Sequence, residues 1–360
     1  MSDLNGRFED ESLPIIDVHS HAMPLPFIKD LERRGLANAS KASAGVVTID
    51  PEVSGLAPRA EIPFPSHQYD VESRVNTMDA MGVHGQMVSA PPFLFASESE
   101  DSRFVLDLIR NLNDAVAEFV QGSSGRMIGL ATLPLGFPEA ADELTRCVNE
   151  LGMVGATIGT FGGGRELDDP VNEGLWEALA SLKCLVLLHP SRVSDRNRLS
   201  RYHLVQLFGY PVETGLAVAR LIFGGVLERH ELHLCLSHGG GCLPSVVSRL
   251  DLGWRRKAAA RVIERPPSEY VEELLFDTAV FDKLTLRRLV NDVGPANVLL
   301  GTDFPFDLAD AEAVASVQAL DLCDADETLI LGGNAMRYCQ DHFNAPTRRQ
   351  YYPRKVADHG

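Results

Sequence analysis

Short runs rich in Val, Ile and Leu recur along the chain at Pro14–His19, Gly85–Ala90, Met127–Leu133, Gly155–Thr160, Cys184–His189, His233–His238, Leu274–Thr278 and Val298–Asp303. Their length and apolar content predict eight strands. Between most of them lie stretches with apolar residues at helical spacing: Ser102–Val120, Glu139–Glu150, Asn172–Leu182, Val212–Leu227 and Leu284–Val293. Strand then helix, repeated, predicts an α/β protein with a parallel sheet. Eight such units in about 300 residues match a TIM (β/α)8 barrel in number and size, where a doubly wound sheet more often has about five to seven strands. The expectation is one barrel domain over residues 1–360.

Two segments break the alternation. Residues 23–73 carry six prolines and little period, too long a stretch for a plain strand-to-helix loop, and read as a lid or small insertion after the first strand. In a barrel it would overhang the C-terminal mouth. The tail 345–360 holds Arg348, Arg349, Arg354 and Lys355 with paired tyrosines; it reads as a solvated tail or as a grip on a partner subunit.

The chain has 360 residues, 45% hydrophobic and 23% charged, which excludes disorder, collagen and a small disulfide scaffold. A net charge of -17 argues against a nucleic-acid partner or an anionic membrane surface, so an anionic ligand must be met by local cations or a metal. Cys147, Cys184, Cys235, Cys242, Cys323 and Cys339 form no CxxC pair, and free thiols fit a reducing, cytoplasmic setting. The segment Met1–Pro14 is acidic rather than basic then apolar, against a signal peptide, and no apolar run is long enough to span a bilayer. There is neither a P-loop nor a GxGxxG sequence.

The strongest chemical signal is Asp17-Val18-His19-Ser20-His21, closing the first apolar run. Residues two apart on a strand share a face, so His19 and His21 can present two imidazoles to one point. HxH alone is weak. His189 ends the fifth run, His238 the sixth and Asp303 the eighth. Any one of them can be a satisfied core group, but four strands ending in His or Asp at one level are hard to reach by chance, and a barrel's C-terminal strand ends meet at one mouth. Three imidazoles and a carboxylate suit Zn²⁺, with Mn²⁺ or Co²⁺ as alternatives, and such an ion activates water or polarises a substrate oxygen. His238 is then left as a proton carrier, and Gly239 to Gly241 let the backbone turn tightly after it. Gly155–Thr160 offers no bridging ligand and Lys183 lies at the entry of its strand, so a single ion is expected.

With DVHSH on the first strand, HP after the fifth, SHGGG after the sixth and LLGTDFPF after the eighth, the chain resembles the amidohydrolase superfamily. Within it, the likeness is to the branch named for aminocarboxymuconate semialdehyde decarboxylase. Asp79-Ala80-Met81-Gly82-Val83, Gly174-Leu175-Trp176-Glu177, Pro211-Val212-Glu213-Thr214, Gly224-Gly225-Val226 and Gly333-Asn334-Ala335 share its pattern, over about Ile15 to Cys339. The resemblance implies a distorted barrel with one divalent ion, usually zinc, acting as a nonoxidative decarboxylase. It makes His19, His21, His189 and Asp303 the metal ligands and His238 the catalytic acid and base, with Asp303 also able to shuttle a proton. Arg249 matches an arginine that reaches a neighbouring subunit's substrate, which implies a homodimer; the other reading is a surface helix arginine.

Two departures stand out. No arginine occupies the insertion position that normally binds a substrate carboxylate, though Arg59 is near, and Ser191-Arg192 replaces an aromatic residue after His189-Pro190. Arg192 is either a carboxylate-binding cation at the mouth or solvated. The substrate implied is an unsaturated or hydroxyaromatic carboxylic acid. The same ligands would also serve a hydrolase or hydratase acting on a lactone, an amide or an unsaturated dicarboxylic acid, and a barrel that kept its ligands without activity is the third reading.

Overall fold

A computed structural model describes residues 13–343. The tail 345–360, and Met1 to Glu11 with Ser12, lie outside the described residues. Eight parallel strands follow one another in chain order around a sheet: β1 (Ile16–His21), β2 (Gly85–Ser89), β3 (Met127–Thr132), β4 (Gly155–Ile158), β5 (Leu185–Leu188), β6 (His233–Leu236), β7 (Leu275–Asp277) and β8 (Val298–Leu299). Each falls within or overlaps an apolar run read from the sequence. The last strand returns to the first through Val18 N to Leu300 O at 2.9 Å, Asp303 N to His19 O at 2.9 Å and His21 N to Phe304 O at 2.7 Å, which close the sheet into a barrel.

The helices are amphipathic and pack outside. Ser102–Gln121 is capped by Asp101, whose carboxylate accepts from the backbone N–H of Arg103 and Phe104, and it buries Leu108, Ile109, Leu112 and Val116. The stretch read as one helix over Val212–Leu227 is two, Tyr210–Phe223 and Val226–Arg229, because Gly224-Gly225 ends the first. Inside the barrel a separate apolar cluster of Ile16, Val18, Met87, Ile128, Leu130, Leu185, Leu187, Cys235, Leu275 and Leu299 fills the lower part. The histidines and Asp303 stand above this apolar layer, at the upper strand ends. No helix among the described residues is long and apolar enough to cross a membrane.

Residues 23–73 have more regular structure than their prolines suggest. They hold the helix Leu25–Arg33, which buries Phe27, Ile28 and Leu31, and an antiparallel sheet of Ala37–Asn38, Val46–Ile49 and Glu61–Pro63. Prolines sit at element ends, as at Pro51 opening the turn of helix Pro51–Ser54, where a missing N–H costs nothing.

Arg74, fully buried, joins this insertion to the barrel. Its Nε donates to Gln86 Oε1 (2.8 Å) and its Nη1 to the carbonyls of His21 (2.7 Å) and His67 (3.3 Å), while its plane lies over the Phe304 ring. Burial lowers its pKa to about 9, so it stays charged at neutral pH. Gln86 Nε2 donates in turn to Asp17 Oδ2 (2.8 Å), so a buried cation and carboxylate are linked through one amide. Replacing Arg74 with Met should leave those acceptors unpaired and cost about 3–5 kcal/mol, measured by urea unfolding followed by circular dichroism; a loss under 1 kcal/mol would show that the network does not carry the fold.

Candidate metal centre and active site

The first strand does not run straight to its histidines. Ile16 and Val18 face the barrel interior, and regular alternation would send Ser20 there next. Asp17 pairs with Gln86 but Ser20 with Val88, three steps on β1 against two on β2, so a bulge lies between. It brings His19 and His21 to the mouth. On β5 no such shift is needed: Leu185 and Leu187 face inward, and His189 follows with the same parity.

His19, His21, His189 and Asp303 are all buried and offer one ligand atom each within 4.8 Å of one another, the one such cluster of three or more among the described residues. Asp303 Oδ1 lies 3.2 Å from His19 Nε2, 3.2 Å from His21 Nε2 and 3.9 Å from His189 Nε2. Each ring is oriented through its other nitrogen. His19 Nδ1 meets Asp277 Oδ2 at 2.6 Å, His21 Nδ1 meets the Ala90 carbonyl at 3.2 Å and Ser89 Oγ at 3.1 Å, and His189 Nδ1 meets the Pro190 carbonyl at 2.9 Å. A proton on each Nδ1 leaves three Nε2 lone pairs aimed at one point.

The electrostatics call for positive charge there. Burial works against a charged His19, yet Asp303 and Asp277 outweigh it and lift its pKa to about 10. Burial lowers His21, and it lowers His189 to about 3. Burial alone would raise the Asp303 carboxyl, but the charge of His19 and the imidazoles beside it hold it well below the carboxylate range. His19 Nε2 and His189 Nε2 are buried and make no hydrogen bond. Two orphaned lone pairs beside an ionised carboxylate fit a divalent ion.

His238 joins the cluster from the other side. Its Nε2 lies 3.4 Å from Asp303 Oδ2, its Nδ1 3.2 Å from Ser237 Oγ, and its side chain is 13% exposed, so it alone of the four histidines keeps appreciable contact with the mouth. The chain turns sharply here, with φ of 54° at His238 and 59°, 76° and 59° at Gly239, Gly240 and Gly241. A Cβ on Gly241 would sit 2.2 Å from the Pro211 carbonyl oxygen, so the turn requires glycine.

The three arginines singled out from the sequence are not in contact with this cluster. Arg59 is exposed at a turn of the insertion, with φ of 63°. Arg192 stacks on Phe161 at 3.9 Å and faces Glu98 Oε1 at 3.8 Å, so its charge is already met. Arg249 is exposed on the helix Leu243–Arg256.

Asp277 was not among the sequence candidates, although it ends the β7 run as His189 ends β5, so the same strand-end criterion finds it. Besides His19 it accepts from the backbone N–H of Gly239 (2.8 Å) and Ala279 (3.2 Å). Asp17 was also unassigned. It accepts from His19 N (3.0 Å), Thr302 N (3.1 Å) and Thr302 Oγ1 (2.7 Å), tying the two ligand-bearing segments together. Burial pushes its pKa up to about 6 against those bonds. No sequence pattern announces Tyr210, whose ring lies edge-on to His189 with centroids 6.1 Å apart.

The family model for amidohydrolases matches residues 16–338. The chain belongs to the amidohydrolase family. It is 32% identical to the 2-amino-3-carboxymuconate-6-semialdehyde decarboxylase of Dictyostelium discoideum over 335 residues, 90% of each chain. Among solved structures it resembles 5-carboxyvanillate decarboxylase from Sphingomonas paucimobilis, with a TM-score of 0.76 and 25% identity over 91% of this chain and 99% of that one. It also resembles a dihydroxybenzoic acid decarboxylase from Polaromonas sp. JS666 holding manganese and 2-nitroresorcinol, with a TM-score of 0.73 and 25% identity over 92% and 98%. In this amidohydrolase four residues that could hold an ion meet at one point, and each imidazole is held through its other nitrogen.

Replacing Asp277 with Asn should turn an amide N–H toward His19 Nδ1, moving the ring proton to Nε2 and blocking a ligand lone pair. Metal affinity is expected to fall about 10–100-fold with the far-ultraviolet spectrum unchanged, measured by competition with a chelating dye; unchanged affinity would remove Asp277 from the metal's support.

Proposed function

We propose that this amidohydrolase is a metal-dependent nonoxidative decarboxylase of an unsaturated or hydroxyaromatic carboxylic acid. The observation that carries the reading is the division of Asp303, with Oδ1 toward three imidazole nitrogens and Oδ2 toward His238. A divalent ion held by His19, His21, His189 and Asp303 would draw electron density from a substrate oxygen and so lower the cost of charge building on carbon. Zinc is the ion we assign, because three nitrogens and one oxygen suit it.

His238 supplies the proton. As the bond between the carboxyl group and its carbon breaks, carbon dioxide departs and the electron pair stays on that carbon. His238 Nε2 delivers a proton to it, forming the new C–H bond, and Asp303 Oδ2 faces the same nitrogen to hold or relay that proton. Ser237 Oγ steadies the ring at Nδ1. Phe306, with its ring centroid 5.1 Å from His21, and Tyr210 beside His189 provide flat apolar walls suited to a planar acid. The relatives support this reading, since the Dictyostelium, Sphingomonas and Polaromonas proteins are each named as decarboxylases.

We further propose that the protein works as a homodimer. Leu207, Phe208, Val212, Leu216 and Leu252 are exposed on the segments 205–223 and Leu243–Arg256, and Arg249 stands on the latter with no carboxylate within 4 Å among the described residues. An apolar face of this kind suits a second copy, and Arg249 would reach the partner's substrate. The six cysteines are free, four of them buried, which supports a cytoplasmic setting.

Incubating the metal-replete protein with a panel of such acids in deuterated, oxygen-18 water should release carbon dioxide and place deuterium on the vacated carbon; labelled oxygen gained without that release would mean hydrolysis or hydration instead. His238→Ala should keep its metal by elemental analysis and lose turnover by about 10²–10⁴. Normal turnover would remove His238 from the mechanism. Mixing Arg249→Ala with His238→Ala should restore about a quarter of wild-type turnover if subunits assort at random and Arg249 acts across the interface, whereas no recovery would confine Arg249 to its own chain.

A further inference from the structure

The metal cluster is closed off from solvent. His19 and His21 are 0% exposed, His189 2% and Asp303 6%, so a planar acid reaches them only if part of the mouth moves. The loop 191–204 lies in the way, leaving the cluster directly at His189-Pro190. In a closed eight-stranded barrel β5 stands opposite β1, yet this loop meets the insertion that follows β1, where Arg196 Nη1 donates to the Gly55 carbonyl at 2.6 Å. It also meets the segment after β2, with Ser191 Oγ 2.7 Å from Ser97 Oγ and Arg192 Nε 3.8 Å from Glu98 Oε1. After β4 it meets Phe161, whose ring Arg192 covers. Contacts with the segments after β1, β2 and β4 carry the loop across the barrel end, away from its own part of the rim.

Polar latches hold the loop over a thin apolar underside. Val193 alone among residues 191–204 is a buried apolar side chain, and it rests on Gly209, where an added Cβ would lie 2.6 Å from Val193 Cγ1. At the loop's base a Cβ on Gly159 would lie 2.5 Å from Ser191 Oγ, so Ser191 sits against bare backbone just past β4. Farther along, Ser194 Oγ donates to Glu213 Oε2 at 2.8 Å. A segment with so little buried apolar surface separates from the fold at far lower cost than global unfolding. Its far end is strained. Tyr202 and His203 follow one another with φ of 60° and 52°, a left-handed pair without glycine, and the π-helical turn Val205–Gly209 comes next. Such a pair persists only while its surroundings impose it, which places a hinge there.

We propose that residues 191–204 are a strap across the mouth, latched at Ser97–Ser191 and Glu98–Arg192 and hinged at Tyr202-His203, which lifts to admit the substrate and closes over it. The proposal rests on the cluster as the place where the acid binds, and not on which reaction follows there. Closed, the strap keeps water from the reacting carbon while His238 delivers its proton. Open, it frees the space above His189. Because the latches are hydroxyl and ion-pair contacts at the rim, they exchange for water at little cost, and opening is set by them more than by packing.

The test uses the full chain loaded with zinc and carrying Ser97→Cys together with Ser191→Cys. The two hydroxyl oxygens lie close enough for thiols in their places to join, and peptide mass spectrometry identifies the bond. Access is read as the rate at which the planar dye 4-(2-pyridylazo)resorcinol captures the zinc, followed by absorbance. Oxidised with diamide, the double variant should give up zinc at least about tenfold more slowly than its reduced form. Tris(2-carboxyethyl)phosphine should restore the rate, and Ser97→Cys alone should respond to neither reagent. An unchanged rate in the cross-linked protein overturns the strap. If the bond does not close, Ser97→Ala with Glu98→Gln decides: unlatching should speed capture by about threefold or more, and an unchanged rate overturns the proposal. If loading leaves no zinc by elemental analysis, the metal reading fails separately, and carbethoxylation of His189 by diethyl pyrocarbonate, located by mass spectrometry, reads the same access. It should slow about tenfold on cross-linking, or about threefold faster reaction should follow unlatching; equal rates overturn the strap. No turnover enters either measurement, so failure of the decarboxylase reading shows elsewhere, as no acid releasing carbon dioxide.

Discussion

The active site depends on keeping three imidazole lone pairs and a carboxylate together in a buried place. Unscreened, that arrangement is unfavourable: lone pairs without donors lose their solvation, and an ionised Asp303 away from water needs a compensating charge. In the absence of an ion a proton takes the place, which is why His19 is driven to a pKa of about 10 while its neighbours are driven down. Metal and proton compete for one position, and the fold is built to hold that position ready.

Readiness comes from the layer behind the ligands. Asp277, Ala90 and Pro190 each take one imidazole Nδ1, so the rings cannot turn away. Asp17 fastens the backbone of β1 to the segment bearing Asp303 through Thr302, and Gln86 passes that connection to Arg74, which reaches the insertion. The same buried chain that stabilises the barrel therefore sets the spacing between His19 and Asp303. Below it the apolar interior of Val18, Leu130, Leu187 and Leu299 excludes water, and strengthens every interaction above.

The proposed mechanism follows from the asymmetry of Asp303. One oxygen faces the imidazole cluster and the other His238, so in the proposed reaction charge stabilisation and proton delivery would meet at a single carboxylate. The arginines on the loops and outer helices differ in their commitments. Arg192 is satisfied by Phe161 and Glu98, Arg249 stands on an exposed helix face, and Arg196 donates from its loop to the Gly55 carbonyl of the insertion. These arginines thus sit on loops and outer helices, whereas the clustered imidazoles and Asp303 stand at strand ends.

The eight strands were legible because a buried parallel strand must be apolar along its whole length, and that leaves an uninterrupted run in the sequence. His189, His238 and Asp303 were legible because each interrupts such a run at its end. The helical and β content of residues 23–73 was not, since its short strands and proline-bounded turns carry no period long enough to read. Nor could local sequence tell the arginines apart: Arg59, Arg192 and Arg196 are alike as residues, and only the packing of Phe161, Glu98 and Gly55 separates them. The bulge on β1 belongs to the same class, because register is a relation between two strands and appears in neither alone. By itself the sequence determined the barrel and the identity of its polar strand ends, through periodicity imposed by burial. Tertiary structure decided which nitrogen of each imidazole faces the cluster and which arginines are paired, because those depend on partners far apart in the chain.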